Sequence, residues 1–180
     1  MSSENKFQMP HAIDDKPETD YSMLPENDFD SLPHDTVDVR SMAEADLPAL
    51  KRIDRQLTGL DRTDYISAKL VEAMNDSAVR VSLTARIENT PAGFLMARID
   101  SGDFGHVEPV AVIDTMDVSP DFAGHGVGEA LLSQLMTNLV GLRIEKVETT
   151  LAVDNLDLLG FFYRFGFLPS QRIALHKRVG

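Results

Sequence analysis

Everything else in this chain has to accommodate a glycine-rich turn wedged between a strand and a helix. Val110 to Val118 reads as a strand and Pro120 stops it. Gly124-His125-Gly126-Val127-Gly128 follows at once, and Glu129 to Val140 is amphipathic, with Leu131, Leu132, Leu135, Met136 and Leu139 apolar. Strand, glycine turn and helix make an anion-binding arrangement. Glycines let the backbone approach a ligand, and the first helical N–H groups lack intrahelical partners. Two nucleotide motifs are excluded. A P-loop needs Lys after its last glycine, and the G-x-G-x-x-G fingerprint needs a third glycine; Glu129 stands in both places. A tight connection with no ligand is the competing reading of the turn by itself.

The flanking pattern predicts one mixed sheet with helices. Thr36 to Arg40 alternates as a strand. Ser41 or Asp46 caps a helix that carries Ala43, Leu47, Leu50, Ile53 and Leu57 at helical spacing and ends at about Gln56. Thr63 to Asn75 is a second helix. Val79 to Glu88 and Ala92 to Ile99 are strands joined by a turn at Glu88-Asn89-Thr90-Pro91. After the glycine turn and its helix come a strand over Lys146–Val153, a helix over Asn155–Phe165 and a last strand over Ile173–Lys177. The order is strand, two helices, three strands, helix, strand, helix, strand, which is an α/β (α+β) domain.

Charge divides the chain. Residues 1–36 hold nine acids and two bases, so −7 of the net −12 lies in that segment, which also carries four prolines and no sustained periodicity. It is expected to be an acidic, flexible arm, either solvated or docking its apolar side chains on the domain or a partner. Residues 37–180 are the expected folded domain. The acidity argues against a nucleic-acid partner, which needs a basic face. With no Cys there is no disulfide, thiolate zinc site or cysteine nucleophile. No apolar run approaches the roughly 20 residues of a membrane span, and Met1-Ser2-Ser3-Glu4-Asn5-Lys6 is no basic-then-apolar leader. A cytoplasmic protein without a membrane partner is the expectation. The five histidines, at 11, 34, 106, 125 and 176, are scattered, so no metal cluster is expected.

The stretch Val118-Ser119-Pro120-Asp121-Phe122-Ala123-Gly124-His125-Gly126-Val127-Gly128-Glu129-Ala130-Leu131-Leu132 resembles the acetyl-CoA motif of the GNAT superfamily of N-acetyltransferases. The family pattern is Val-x-Pro-x-(Tyr/Phe)-(Arg/Gln)-Gly-x-Gly-(Ile/Val)-Gly-x-Ala-Leu-Leu. After 27 residues comes Asn155, then Phe161-Phe162-Tyr163-Arg164-Phe165-Gly166-Phe167, similar to the family's second motif. The resemblance extends from Val37 to Val179. It implies a mixed, mostly antiparallel sheet flanked by about four helices, acetyl-CoA as cosubstrate, a primary amine as acceptor and no metal. It implies that the backbone of Met116, Asp117 and Val118 pairs with the pantetheine arm. The N–H groups from Gly124 through His125, Gly126, Val127 and Gly128 to Glu129, next to Ala123, would hold the pyrophosphate. Asn155 would reach the pantetheine, and Phe161, Phe162 and Tyr163 would line the thioester end. Homodimers are common in the family.

Two positions depart from the pattern. Ala123 stands where the family has Arg or Gln, which removes a side-chain contact to the phosphates. Phe162 stands where the family often has the Tyr that protonates the leaving thiolate; Tyr163 is one residue later, about 100° around a helix.

Amine attack requires a neutral amine, so a carboxylate or ordered water has to accept a proton. Asp114, on the central strand where the family often has an acid, is the first candidate for that base; the competing reading is a hydrogen bond to a neighbouring strand or to Thr115. Asp117 is the second candidate, and Glu108 and His106 are third. Between the first two helices, Asp61, Asp64 and Tyr65 are candidates to hold a cationic acceptor, against the plainer reading of a capped helix start with Arg62 pairing locally. The leading expectation is therefore an N-acetyltransferase. The rival is a catalytically weak GNAT fold that binds acyl-CoA or serves as a protein-interaction module.

Overall fold

A computed structural model describes residues 37–75, 81–100, 108–171 and 175–179. The arm over 1–36, His106 and the first part of the expected last strand lie outside the described residues; 175–177 carry no strand.

Among the described residues nine strands and α-helices follow in order: β1 (Asp38–Ser41), α1 (Leu47–Thr58), α2 (Thr63–Asn75), β2 (Leu83–Ile87), β3 (Thr90–Asp100), β4 (Val110–Val118), α3 (Val127–Gly141), β5 (Val147–Thr149) and α4 (Leu156–Arg164). The five strands form one sheet in the order β1-β2-β3-β4-β5. The first three pairings are antiparallel and β4 with β5 is parallel, so the sheet is mixed and mostly antiparallel, with four helices around it.

The sheet has a core on each face. Met42, Leu50, Ile53, Ile66 and Leu70, from α1, α2 and the β1–α1 link, close over Phe94 and Met96 of β3. On the other face Val127, Leu131, Leu132, Leu135 and Leu139 of α3 bury Leu83, Ala85, Leu95, Ala97, Ala111 and Ile113, and Phe162 of α4 joins them. The side chains on either face follow from strand alternation: Phe94 and Met96 point one way, Leu95 and Ala97 the other.

Local chemistry sets the element ends. Gly59 closes α1 in the left-handed region, φ +69°, its N–H donating to Arg55 O at 2.9 Å. Glu88 and Asn89, with φ of +48° and +65°, make the two-residue turn from β2 to β3. Asn155 caps α4, its side chain accepting from Leu158 N at 3.2 Å. The start of α1 differs from both capping expectations. Ser41 ends β1 instead of opening a helix, and Asp46 precedes α1 without a side-chain cap. Asp46 is buried where β1, β2 and the link meet, and its carboxylate accepts from Ala43 N, Thr84 Oγ1, Arg40 and Arg86. Four donors outcompete a single helix N–H.

The strand expected over Lys146–Val153 is only Val147–Thr149, because β5 follows β4 for three residues: Ala111, Val112 and Ile113 pair with Val147, Glu148 and Thr149. At that point β4 changes register on its other side. Ala97 pairs with Ile113 and Met96 with Thr115, so Asp114 is the extra residue of a β-bulge. Such an insertion bends the strand and raises its twist.

Candidate active site

Beyond the bulge, β4 keeps one neighbour among the described residues. Thr115, Met116, Asp117 and Val118 pair with Met96, Leu95, Phe94 and Gly93 of β3, and the ladder to β5 stops at Ile113. Ser119 donates its N–H to Ala92 O at 2.8 Å, which places the backbone groups of Ser119 on the β3 side. Antiparallel alternation then turns the N–H and C=O of Asp117 and Thr115 to β3, and those of Met116 and Val118 to the edge without β5. A short length of strand edge is thus open to an extended partner.

That edge runs into the glycine turn. Pro120–Phe122 make a 3-10 turn, and Gly124 and Gly126 adopt φ of +77° and +75°. A Cβ on either glycine would meet nothing within 4 Å, so the demand here is conformational and the space above the turn is open. The first α3 hydrogen bond is Ala130 N to Gly126 O, 2.9 Å. The N–H groups of Val127, Gly128 and Glu129 precede it and belong to the helix N-terminus, where anions are favoured. His125 is exposed and its Nδ1 lies 3.1 Å from Ala123 O.

Two other glycines act by being small. A Cβ at Gly128 would lie 3.1 Å from Met116 Cε and 3.3 Å from Phe161, so Gly128 seats the first turn of α3 against β4 and α4. A Cβ at Gly93 would lie 2.8 Å from Val127 Cγ1 and 2.9 Å from Asp117 O. Sequence reasoning missed Gly93; a glycine inside an otherwise apolar strand is the signal for such a close approach.

The aromatic end of the chain is divided. Phe161 faces Gly128. Phe162 is 2% exposed, packed on Phe167 with ring centroids 4.8 Å apart. Tyr163 is 46% exposed and lies about 200° around α4 from Phe161.

On the α1/α2 face of β4 the structure assembles a polar group that sequence reasoning found in part. Asp114 is half-buried, and both its oxygens are taken, one by Arg98 and the other by Lys69 at 3.4 Å. Its competing reading pointed to a neighbouring strand or Thr115; the partner is Arg98 on β3. Arg98 also reaches Asp100, and Lys69 reaches Glu72 at 2.8 Å. Hydrogen bonds donated to these acids, to Asp114 first for Arg98 and to Glu72 first for Lys69, hold both cations above their usual values. Glu108 is exposed, just before β4.

Three residues on, Asp117 is 6% exposed and faces Asp54 of α1, which is 1% exposed. Asp54 accepts from Arg62 through both oxygens, at 3.1 and 3.2 Å from Nε. Asp117 Oδ2 is buried with no hydrogen-bond partner. Burial first, and the Asp54 carboxylate second, push Asp117 up to about 6, while Arg62 pulls it down. Asp54 was overlooked in the sequence. It lies on the inward stripe of α1 with Leu50 and Ile53, while Leu57, expected on that stripe, is exposed; an acid four residues after Leu50 is the available signal.

The acceptor candidates fall around this group. Tyr65 Oη is 3.0 Å from Thr115 Oγ1, and its ring lies under Arg62 at 5.2 Å. Asp61 pairs with Arg55 at 2.6 Å and accepts from Thr63 N at 3.2 Å; a hydrogen bond from the Thr63 side chain first, and this backbone bond second, lower its pKa. Asp64 is exposed in the first turn of α2. Arg62 pairs outside the helix start, with Asp54 of α1. Among the described residues no group of His, Asp and Glu is placed to hold a metal ion, and no helix is long and apolar enough to cross a membrane.

Comparison with known proteins agrees with this fold. A model of the acetyltransferase (GNAT) family matches residues 47–167, from α1 through α4. The fold is similar to that of the aminoglycoside N-acetyltransferase AAC(6')-Iy in complex with CoA, with a TM-score of 0.68 at 19% identity over 79% of this chain and 94% of that one. It is similar to the ribosomal-protein-S18-alanine N-acetyltransferase from Escherichia coli, at 0.63 and 16% over 75% of this chain and 79% of that one. A transcriptional regulator from Bacillus halodurans also matches, at 0.63 and 16% over 79% of this chain and 99% of that one.

Proposed function

The chain belongs to the acetyltransferase (GNAT) family, and on that premise we propose that it transfers an acetyl group from acetyl-CoA to a primary amine, by direct attack in a ternary complex. The observation that carries this reading is the open β4 edge at Met116 and Val118, continuous with the helix N-terminus of α3. An extended, amide-bearing arm with a pyrophosphate at one end is what such a surface fits, and acetyl-CoA brings the activated acyl thioester.

In this reading Met116 and Val118 hydrogen-bond the pantetheine through their backbone, and the Val118 N–H polarises the thioester carbonyl. Asp117, its own backbone turned to β3, adds a side chain and no edge contact. The amides from Gly124 to Glu129, save His125 N–H, which donates to Phe122 O, take the pyrophosphate, and the open space over Gly124 and Gly126 admits it. Ala123 contributes backbone alone. Asn155 lends its position beside the pantetheine while its Oδ1 caps α4. Phe161 bounds the thioester end, and Phe162 supports it from the core. Asp61, Asp64 and Tyr65 border the acceptor's approach. Tyr163, turned away from Phe161, leaves the thiolate to be protonated from solvent or from the amine nitrogen itself. The folded domain begins near residue 37, with the acidic segment outside it. The setting is a cytoplasmic protein with no metal and no nucleic-acid or membrane partner, and self-association is open to a sizing measurement.

Incubating the full chain with acetyl-CoA and a panel of aminoglycosides, polyamines, lysine peptides and N-terminal peptides tests this. The expected result is thiol release with one acceptor class. Ala123 and the buried Phe162 favour a second reading, a CoA-binding or protein-interaction module. Tight CoA binding with no thiol release across the panel is the result that selects it.

A further inference from the structure

Two carboxyl groups are buried together in the α1/α2 face of the sheet, and one cation serves them. Arg62 spends its fork on Asp54, leaving Asp117 Oδ2 buried without a partner. If the group were only structural, Asn at position 117 would do better, since its amide would donate to Asp54 and remove a buried charge. A buried orphan oxygen on an acid is a place where a donor belongs.

The position of that oxygen identifies the donor. Asp117 immediately precedes Val118, whose N–H points to the open edge, so the carboxylate stands one residue along β4 from the proposed acyl position. A ligand that donates to a carboxylate and reacts with an acyl carbonyl is an ammonium. We propose that the Asp117 carboxylate, with Asp54 as its positioning partner, receives the acceptor's ammonium and takes its proton. This rests on the acetyl-transfer reading above.

The proton ledger closes without a further reagent. The ammonium N–H bond breaks and its proton moves to Asp117, leaving the nitrogen lone pair free. The C–N bond forms, the C–S bond breaks, and the sulfur leaves with the electron pair. The second proton on nitrogen passes to the thiolate, and Asp117 returns its proton to water. The products are an amide, the thiol and one proton.

Asp54 supplies the tuning. A like charge facing Asp117, together with burial, keeps it basic enough to accept a proton near neutrality, and Arg62 moderates the effect. The other groups on this face are Tyr65, hydrogen-bonded to Thr115, and Asp114 with its own cations Arg98 and Lys69; Phe94, across the ladder from Asp117, is apolar.

The test is a pH–rate profile of full-length D117N, D54N and D114N, with CoA affinity measured by calorimetry. Wild-type kcat/KM should fall on the acid side with a midpoint near 6. D117N should bind CoA within about twofold of wild type, lose about 100-fold or more in kcat/KM at pH 8, and lose the acid limb. D54N should move that limb to lower pH, because the opposing charge is gone; D114N should leave its midpoint in place. D117N within about threefold of wild type at pH 8 with the limb intact, or a D54N limb that does not move, overturns the proposal. If D117N fails to fold, the D54N limb decides alone. If wild-type protein acetylates nothing, the transfer reading fails and binding decides separately: spermidine is titrated into the protein–CoA complex. An affinity that falls at least tenfold in D117N upholds the ammonium receptor, and equal or absent binding refutes it.

Discussion

β4 is two different strands joined at Asp114. Before the bulge, Ala111 to Ile113 have neighbours on both sides, and Ala111 and Ile113 are 0% and 4% exposed beneath α3. Beyond it, among the described residues, Thr115 to Val118 have β3 alone, and polar side chains face α1 and α2. The inserted residue changes both things at once. It marks the end of the β5 ladder, freeing an edge, and it reverses the side-chain phase. Without it, Thr115 and Asp117 would share the face of Ala111 and Ile113 and point into the apolar core under α3; with it they meet Asp54 and Tyr65. One extra residue separates the scaffold from the site.

That division can be broken by substitutions on its two sides. The largest effect is expected in the scaffold half. Ile113→Ala empties a packed position and should cost about 3 kcal/mol of unfolding free energy in a denaturant titration, while the folded protein keeps its CoA affinity. Gly93→Ala, opposite Val118, should cost less stability, about 2 kcal/mol, yet weaken CoA more. Its Cβ presses on Val127 and on the Asp117 carbonyl, pushing the first turn of α3 away from the open edge. Equal CoA affinities in the two variants would erase the distinction between the halves.

Asp117 provides the next test, on stability instead of rate. Its pKa is raised from an ordinary 3.8 to about 6, so the native state binds that proton more tightly than the unfolded chain. The stability this contributes is fully present below about pH 3.8 and is lost as pH rises through about 6. D117N removes the dependence. It should be more stable than wild type by on the order of 1–2 kcal/mol at pH 8, with the difference fading below about pH 4. A residue whose replacement stabilises the fold while removing activity is one retained for function.

The sequence made the local features legible and left the non-local ones hidden. The glycine turn, the helix after it, the Asn155 start of α4 and the whole span of α2 follow from propensity and capping within a few residues. The Asp54–Arg62–Asp117 group needs three elements to meet, and its alignment depends on a bulge that leaves no mark in the alternation of Val110 to Val118. Strand phase counted from Ile113 puts Asp117 on the wrong face. The over-long strand expected at Lys146–Val153 has the same origin: its residues suit a strand, but only three of them find β4 before the register changes. Gly93 and Asp54 each carried a local sign, a glycine within a strand and an acid on an apolar stripe, whose meaning depended on what lay opposite.

The smallest effect is expected at Asp114, the acid that sequence position alone favours as the base. It shares strand, face and residue type with Asp117, but its neighbours differ. Its side chain is 18% exposed and its partners Arg98 and Lys69 are 36% and 23% exposed. Such pairs are worth about 0–1 kcal/mol. Each cation also has a second acid, Asp100 or Glu72, to fall back on. D114N should therefore cost under about 1 kcal/mol, with the cost shrinking further in roughly 0.5 M salt as screening weakens the pairs. The Asn oxygen still accepts from Arg98, so the bulge geometry should persist. An acid already holding two cations has no oxygen left over for an ammonium, whereas Asp117 has one. A D114N variant that lost several kcal/mol, or whose acid limb moved with that of D54N, would merge the two carboxylates into one site and remove the contrast between them.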